Sequence, residues 1–178
     1  MNRYPVEKIK ENSAKALGKD LPISTKQSVN ICAFLRGRSL ADAKDKMLKV
    51  IQKKVAVPYT RFNADLGHKT GIGPGRYPEK ASQLILTLLE EAEANAQFKG
   101  LNTSQLKVAH ISASRAARPW RFGRKRRIKT KRTHISIVLE ESAEIAEKKA
   151  KKESRSKEKT EKIQKTAPIK DAKQEAKK

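Results

Sequence analysis

Three segments of the chain have apolar residues at the spacing of an α-helix, and two of them follow a serine that is suited to cap a helix. The first segment follows Ser24, has Gln27 three positions later, and ends before Gly37. Its apolar positions are Val29, Cys32, Ala33 and Phe34 or Leu35. The second segment follows Ser39, and its apolar positions are Leu40, Ala43, Met47, Val50 and Ile51. The pattern predicts two helices joined by a tight corner at Arg36-Gly37-Arg38.

The third helical segment is the longest, and it runs from Pro78, a residue favoured in the first turn of a helix, to Gly100. Its apolar positions are Ala81, Leu84, Ile85, Leu88, Leu89, Ala92 and Ala96. We predict that it is the central helix of the core, with Glu90, Glu91 and Glu93 on its solvated side. Residues 57–78, which precede it, contain four glycines and three prolines, and we predict a long irregular loop there.

Two later segments alternate apolar and polar residues with the period of a β-strand. In the first, Leu106, Val108 and His110 alternate with Lys107, Ala109 and Ile111; in the second, Ile135, Ile137 and Leu139 alternate with Ser136 and Val138. We predict that these strands pair antiparallel and continue outward, between Ala113 and Ile135, as an arm reaching about 30 Å. Residues 14–17 near the N-terminus are either a short strand or a packed arm.

The expected fold class is therefore α+β: three helices packed on a small antiparallel sheet, with a long protruding β-hairpin at about residues 112–134 and a charged C-terminal tail. Residues 1–141 are expected to form the globular domain. Residues 142–178 are rich in Lys and Glu and have almost no large apolar side chain. This tail is either disordered or a solvated helix stabilised by Glu and Lys residues four positions apart.

The charge of the chain is strongly positive and unevenly distributed. The net charge is +23 over 178 residues, and residues 1–139 carry 29 basic against 10 acidic side chains. Ten basic residues and no acid lie between residues 115 and 132: Arg115, Arg118, Arg121, Arg124, Lys125, Arg126, Arg127, Lys129, Lys131 and Arg132. A compact domain with this charge normally binds a polyanion. Trp120 and Phe122, which lie within the run, argue against a merely solvated surface.

The partner that best suits this segment is RNA. Arginine side chains bind phosphates with release of counterions, and Trp120 and Phe122 suit stacking on unpaired bases. None of the three predicted helices has a clear basic face for reading a DNA major groove. Outside the segment, the candidate RNA contacts are Lys26, Arg36, Arg38, Arg61, His68, Lys69 and Arg76. For Arg36 and Arg38, phosphate binding and simple solvation are equally compatible with the sequence.

The sequence predicts no enzyme, no metal site and no cofactor. Its three histidines, His68, His110 and His134, have no recognisable set of metal ligands around them, although the last two are placed to meet across the strand pair. The single cysteine, Cys32, is expected to be buried and inert. The glycines of residues 71–75 lack the strand and the lysine of a nucleotide-binding loop. The chain also lacks an apolar run of membrane-spanning length and a signal peptide, so we expect a soluble intracellular protein.

The order of these elements resembles the universal large-subunit ribosomal protein twenty-two family, called seventeen in eukaryotes. The residues that carry the resemblance are Ile23-Ser24, Leu35-Arg36-Gly37, Leu40-Ala41-Asp42-Ala43, the Ala92-to-Ala96 run with Asn95, and Lys131-Arg132-Thr133-His134-Ile135. The long loop is similar to the archaeal and eukaryotic branch through Val57-Pro58-Tyr59, Gly67-His68-Lys69 and Gly75-Arg76-Tyr77-Pro78-Glu79-Lys80-Ala81.

The resemblance implies a structural constituent of the large ribosomal subunit in the cytoplasm. Its partners would be large-subunit ribosomal RNA, neighbouring ribosomal proteins and, near the hairpin tip, the nascent polypeptide, because the hairpin would line the peptide exit tunnel. The tip, residues 119–124, departs from the commoner arginine-glycine forms, so no single tip residue is assigned to the nascent chain. The alternative, from charge alone, is a free RNA- or DNA-binding chaperone or a nucleic-acid-compacting protein.

Overall fold

The computed structural model describes residues 12–142. Apart from Ser142, the predicted tail of residues 142–178 lies outside the described residues. In chain order the elements are β1 (Ser13–Leu21), α1 (Thr25–Leu35), α2 (Leu40–Ile51), β2 (Val57–Pro58), β3 (His68–Lys69), β4 (Gly73–Arg76), α3 (Glu79–Phe98), β5 (Leu106–Arg115) and β6 (Thr133–Glu141). Single 3₁₀ turns occupy Thr103–Gln105 and Gly123–Lys125. The α+β class is confirmed.

The main sheet has the order β1-β6-β5, with β6 antiparallel to both neighbours. The pairing of β1 with β6 runs from Ser13 opposite Glu140 to Leu21 opposite Thr133, so the N-terminal segment is a strand. The pairing of β5 with β6 runs from Leu106 opposite Glu141 to Arg115 opposite Thr133. The last strand of the described chain is therefore the centre of the sheet.

The three helices bury their apolar sides between one another and the sheet. α3 packs on β1, β6 and α2, while α1 packs on β5. Met47, Ile85, Leu89 and Ile137 are all fully buried in this core. Burial of such side chains contributes about 1.5–3 kcal/mol each. The predicted apolar positions of α2 and α3 are buried or partly buried, which confirms both patterns.

The first helix differs from its prediction in two respects. Ala33 is exposed and Ile31 is fully buried, because α1 presents Ile31, Cys32 and Leu35 to the core. Ser24 stands at the N-cap position, yet its side chain makes no capping hydrogen bond. The corresponding cap of α2 does form, with the Ser39 side chain accepting from the Asp42 backbone N–H at 3.3 Å.

The alternation predicted for β5 is interrupted by a β-bulge. Val108 is opposite Leu139 and His110 is opposite Val138, so Ala109 is an extra residue on its strand. The bulge moves His110 out of the face that holds Val108 and brings Ile111 into the core, where Ile111 is fully buried. The predicted grouping of His110 with Leu106 and Val108 is therefore wrong.

His110 and His134 do not meet across the strand pair. His110 is opposite Val138, whereas His134 is opposite Ser114, which separates them by about 13 Å along β6. The His110 Nε2 is buried without a hydrogen-bond partner. Its desolvation, together with the nearby Arg36 guanidinium, lowers the pKa of His110 below the ordinary 6.5.

The segment predicted to be an irregular loop contains a second small sheet, of order β2-β4-β3. Gly71 and Gly73 have φ values of +77° and +69°, so glycine at these positions lets the chain turn tightly between β3 and β4. Val57 and Tyr59 are buried in the main core and anchor the sheet. The glycines and prolines thus shape the turns of a small sheet, and the prediction of no regular structure is wrong.

The acidic side of α3 is also less uniformly solvated than predicted. Glu90 and Glu91 are exposed, but Glu93 is half-buried and forms an ion pair with Lys44 of α2. This ion pair links the two helices beside their apolar contact.

We expect Leu89→Ala to lower the free energy of unfolding by about 2–5 kcal/mol, because it opens a cavity at a fully buried position of α3. Leu48→Ala is the matched control, since Leu48 is 47% exposed on α2 and its truncation should change stability by less than about 1 kcal/mol. Urea unfolding followed by circular dichroism measures both values. Equal losses in the two variants would contradict the assignment of the core.

We expect the free energy of unfolding to fall as the pH is lowered below about 6.5, because the unfolded imidazole binds a proton more readily than the folded His110 does. Above pH 6.5 the stability due to this group is fully present. His110→Gln should remove that part of the pH dependence, whereas His68→Gln, at an exposed position of β3, should retain it. Urea unfolding at pH 5 to 8 compares the three proteins.

Candidate nucleic-acid interface

The basic segment forms a hairpin that continues beyond the main sheet. Regular pairing ends at Arg115 and Thr133, closer to the tip than the predicted limits Ala113 and Ile135. Beyond this point the two sides keep a few hydrogen bonds: Ala116 N–H donates to the Arg132 carbonyl at 3.3 Å, and Arg121 N–H to the Ile128 carbonyl at 2.9 Å. Residues 116–132 are called the arm below.

The arm closes through a tight turn at its tip. Gly123 has a φ of +77° and opens the 3₁₀ turn Gly123–Lys125. Between this turn and the sheet, both the N–H and the hydroxyl of Thr130 donate to the Pro119 carbonyl, at 2.9 and 3.1 Å. The turn of the arm is therefore at Gly123, whereas Pro119 and Trp120 lie on one of its sides, opposite Thr130 and Lys129.

The base of the arm is tied to the body through a buried threonine. The Thr133 hydroxyl donates to the Ile23 carbonyl at 3.0 Å and lies 2.9 Å from the Thr25 hydroxyl. Because the Thr133 proton is used by Ile23, the proton between the two hydroxyls comes from Thr25. The start of β6 is thus fixed to the first turn of α1.

A second tie joins the arm to the end of β1. The Arg132 guanidinium donates to the Asp20 carbonyl at 2.8 Å, and Asp20 N–H donates to the His134 Nδ1 at 3.1 Å. Asp20 has a φ of +51°, a conformation that costs about 1–2 kcal/mol for an ordinary residue. The hydrogen bonds with Arg132 and His134 hold Asp20 in this conformation.

Most side chains of the arm are exposed to solvent, although Ala116 is buried and Arg132 is partly buried. Phe122 is 95% exposed and Trp120 is 58% exposed. The Lys129 ammonium lies 4.4 Å from the centroid of the Trp120 ring, a cation–π contact. Exposed basic residues of the arm are Arg118, Arg121, Arg124, Arg126, Arg127, Lys129 and Lys131. The fold does not use these side chains in its core, so they are free to contact a partner.

The structure brings one predicted residue of the body together with the base of the arm. Lys26, in the first turn of α1, lines a cavity of about 230 Å³ that it shares with residues at both sides of the hairpin. The basic residues around it are Lys26, Arg115, Arg118, Lys131 and Arg132. A different hollow near the tip is lined by Arg124, Arg126 and Arg127 with Gly123 and Ile128.

Arg36 and Arg38, at the corner between α1 and α2, are engaged by the protein itself. Arg36 donates to the Ile111 carbonyl at 3.1 Å. Arg38 donates to the Phe34 carbonyl at 2.6 Å and to the Asp42 carboxylate at 3.2 Å. Both arginines line a shared hollow with Phe34. Their hydrogen bonds show that they stabilise the corner, and their role in RNA binding stays a prediction.

The remaining predicted contacts, Arg61, His68, Lys69 and Arg76, are exposed on the small sheet and on the loop between β2 and β3. Asn30 of α1 holds that loop, because its amide donates to the Arg61 carbonyl at 3.0 Å and its oxygen accepts from Arg61 N–H at 3.2 Å. Asn30 is 1% exposed. Sequence reasoning missed it, and the only signal was a polar residue within an amphipathic helix.

The described residues show little that suits catalysis. Burial raises the pKa of the Cys32 thiol to about 12, which keeps it protonated and inert, as predicted. Within residues 12–142 there is no cluster of His, Cys, Asp or Glu that could hold a metal ion. In the same range no helix combines the length and the apolar character that crossing a bilayer requires.

Comparison with known proteins agrees with this geometry. The sequence model of the family described as Ribosomal protein L22p/L17e matches residues 16–140. The chain is 40% identical over 149 residues to the large ribosomal subunit protein uL22 of Picrophilus torridus, covering 81% of this chain and 99% of that one. It is 42% identical over 146 residues to uL22 of Methanopyrus kandleri, covering 77% and 92% of the two chains.

A third relative, uL22 of Methanosphaera stadtmanae, is 45% identical over 150 residues, which covers 79% of this chain and 97% of that protein. The matched range 16–140 includes nearly all of the main sheet, the three helices and the whole arm. The chain belongs to the ribosomal protein L22p/L17e family.

Proposed function

We propose that this protein is a structural constituent of the large ribosomal subunit that binds ribosomal RNA and carries out no catalytic turnover. Its membership of the L22p/L17e family supports this role. The three relatives described above are named as large ribosomal subunit proteins, and the alignments cover 92–99% of their length. The ribosome in the cytoplasm is then its place of action. Neighbouring ribosomal proteins are further partners.

The arm is the observation that carries the proposal. The segment from Arg115 to Arg132 holds ten cations, no acid, and two exposed aromatic rings. Regular pairing of β5 and β6 does not extend into the arm, and two-stranded ribbons are at best marginally stable in water. An RNA surface would neutralise these charges and order the arm at the same time.

RNA suits the arm better than duplex DNA. Phe122 is almost fully exposed, and Trp120 is partly exposed with Lys129 over its ring. Exposed aromatic rings stack on the unpaired bases of folded RNA rather than on bases inside a duplex. The candidate residues for phosphate and base contacts are those predicted from the sequence, on the arm, on α1 and its corner, and on the small sheet. In the assembled subunit the tip of the arm lines the exit tunnel and meets the nascent polypeptide.

Replacing residues 118–130 with Asn-Gly should leave the body folded and abolish stable incorporation into large subunits. The body is retained because β1, β5, β6 and the three helices lie outside the deletion, and Asn-Gly forms a two-residue hairpin turn. Sedimentation of a cell lysate on a density gradient at moderate and at high salt measures the incorporation.

The control is the unaltered chain, which should co-migrate with the large subunit at both salt concentrations. Equal incorporation of the shortened chain would contradict the role of the arm. Release of the unaltered chain into the light fractions, with similar affinity for duplex DNA and structured RNA, would instead favour a free nucleic-acid chaperone.

Replacement of Arg124, Arg126 and Arg127 by Gln should make the dependence of RNA binding on salt weaker. We expect the negative slope of log K against log salt, for large-subunit RNA, to become less steep by about 2–3. This corresponds to about 0.7–0.9 for each phosphate that the variant no longer neutralises. Filter binding at 50 to 300 mM KCl measures the slope. The matched control neutralises Lys19, Lys54 and Lys80, which are exposed on the body. If both variants change the slope equally, the tip is not a preferred contact.

A further inference from the structure

The cavity at the base of the arm gathers five cations and has no acidic residue in its lining. Lys26 comes from α1, Arg115 from the end of β5, Arg118 from one side of the arm, and Lys131 and Arg132 from the other. Within residues 12–142, none of Arg115, Arg118 and Lys131 has an ion pair with an acidic side chain. Like charges in one hollow repel one another, so this arrangement favours an anionic occupant.

The position of the cavity is set by the fold rather than by flexible side chains alone. Arg115 is opposite Thr133 in the sheet, so the two side chains emerge on the same face. Thr133 is fully buried and bonded to Thr25 and Ile23, at the start of α1. Arg115, the last residue of β5, is therefore held beside the first turn of α1. The end of β5 and the start of α1 both contribute residues to the lining of the cavity.

The chemistry of the lining beyond its cations is also suited to a small anion. Ser24 and Thr25 also line it; the Ser24 side chain does not cap the helix, whereas the Thr25 hydroxyl is bonded to Thr133. Asp20 lines an adjoining hollow together with Arg118 and Arg132. The Arg132 guanidinium donates a hydrogen bond to the neutral backbone carbonyl of Asp20. The first turn of α1 contains no acidic residue.

The size of the cavity restricts the ligand. At about 230 Å³ it is smaller than the roughly 300–1,000 Å³ of sites for drug-sized molecules. Arginine guanidinium groups bind phosphate oxygens in pairs, which fixes orientation as well as charge. The lining offers cations and no aromatic side chain, so it suits a tetrahedral phosphate rather than a stacked base.

We propose that this cavity is a seat for one phosphate group of the RNA backbone, and that an anion bound there fixes the arm to the body. The inference rests on the proposed RNA-binding function and adds a defined site to it. An anion held between Lys26 of α1, Arg115 of β5 and Lys131 of the returning side joins three cationic side chains that otherwise repel one another. The contacts of the tip then follow from an arm that is already oriented.

The test uses the full-length chain and inorganic phosphate. Backbone amide shifts of residues 24–26, 115–118 and 131–133 are followed by NMR during phosphate titration, with chloride at equal ionic strength as the reference. We expect saturable shifts confined to these residues. Arg115→Gln with Lys131→Gln should weaken phosphate binding at least fivefold. The body pair Lys54→Gln with Lys80→Gln removes the same charge at exposed positions away from the cavity and should change phosphate binding less than twofold.

Equal weakening by the two pairs, or shifts spread over all basic regions, would overturn the proposal, because attraction would then follow net charge only. Addition of large-subunit RNA should displace the phosphate from the cavity. If RNA binds without displacing the phosphate, the cavity binds free phosphate, and the assignment of the cavity to the RNA backbone is wrong. Amide spectra of both variants confirm that they are folded, as expected for exposed positions.

The phosphate seat and the ribosomal role can fail separately. If the unaltered chain sediments with large subunits and the cavity shows no saturable binding, the seat is refuted and the ribosomal role stands. If the unaltered chain does not sediment with large subunits, the ribosomal role is refuted whatever the cavity binds.

Discussion

The buried hydroxyl of Thr133 is the interaction on which the interface depends. It joins the carbonyl of Ile23 and the hydroxyl of Thr25 to the first residue of the central strand. A buried donor or acceptor left without a partner costs about 1–3 kcal/mol, so this arrangement favours one position of β6 against α1. Because the arm ends where β6 begins, the direction in which the cations of the arm leave the body is decided here.

Charge and apolar area are divided between different parts of the molecule. The core of helices and sheet is built from fully buried aliphatic residues such as Leu89 and Ile137, while the arm keeps almost all of its side chains in solvent. Acidic residues accompany the helices, as in the Lys44–Glu93 and Arg38–Asp42 pairs, and none occurs in the arm. Some basic side chains of the body are thus neutralised by acidic partners, whereas those of the arm are not. One set of residues therefore stabilises the fold, and a separate set is available to bind anions.

The sequence predicted the helices well because their signals are local: caps such as Ser39 and apolar residues three and four apart lie within one element. It failed where a feature depends on a partner distant in the chain. The bulge at Ala109 is defined only by pairing with β6, and Asn30 is explained only by the Arg61 backbone 31 residues away. The basic residues of the arm were evident from composition, but their convergence with Lys26 at one cavity required the tertiary fold.

The order of strands has a consequence for the synthesis of the chain. β1 is made first, yet its only partner in the main sheet, β6, is the last strand of the described chain, and Ser13 pairs with Glu140 across almost the whole domain. The sheet cannot close until the arm has been translated, and contacts of such high sequence separation form slowly. The cationic arm is therefore synthesised before the sheet that holds its base can close.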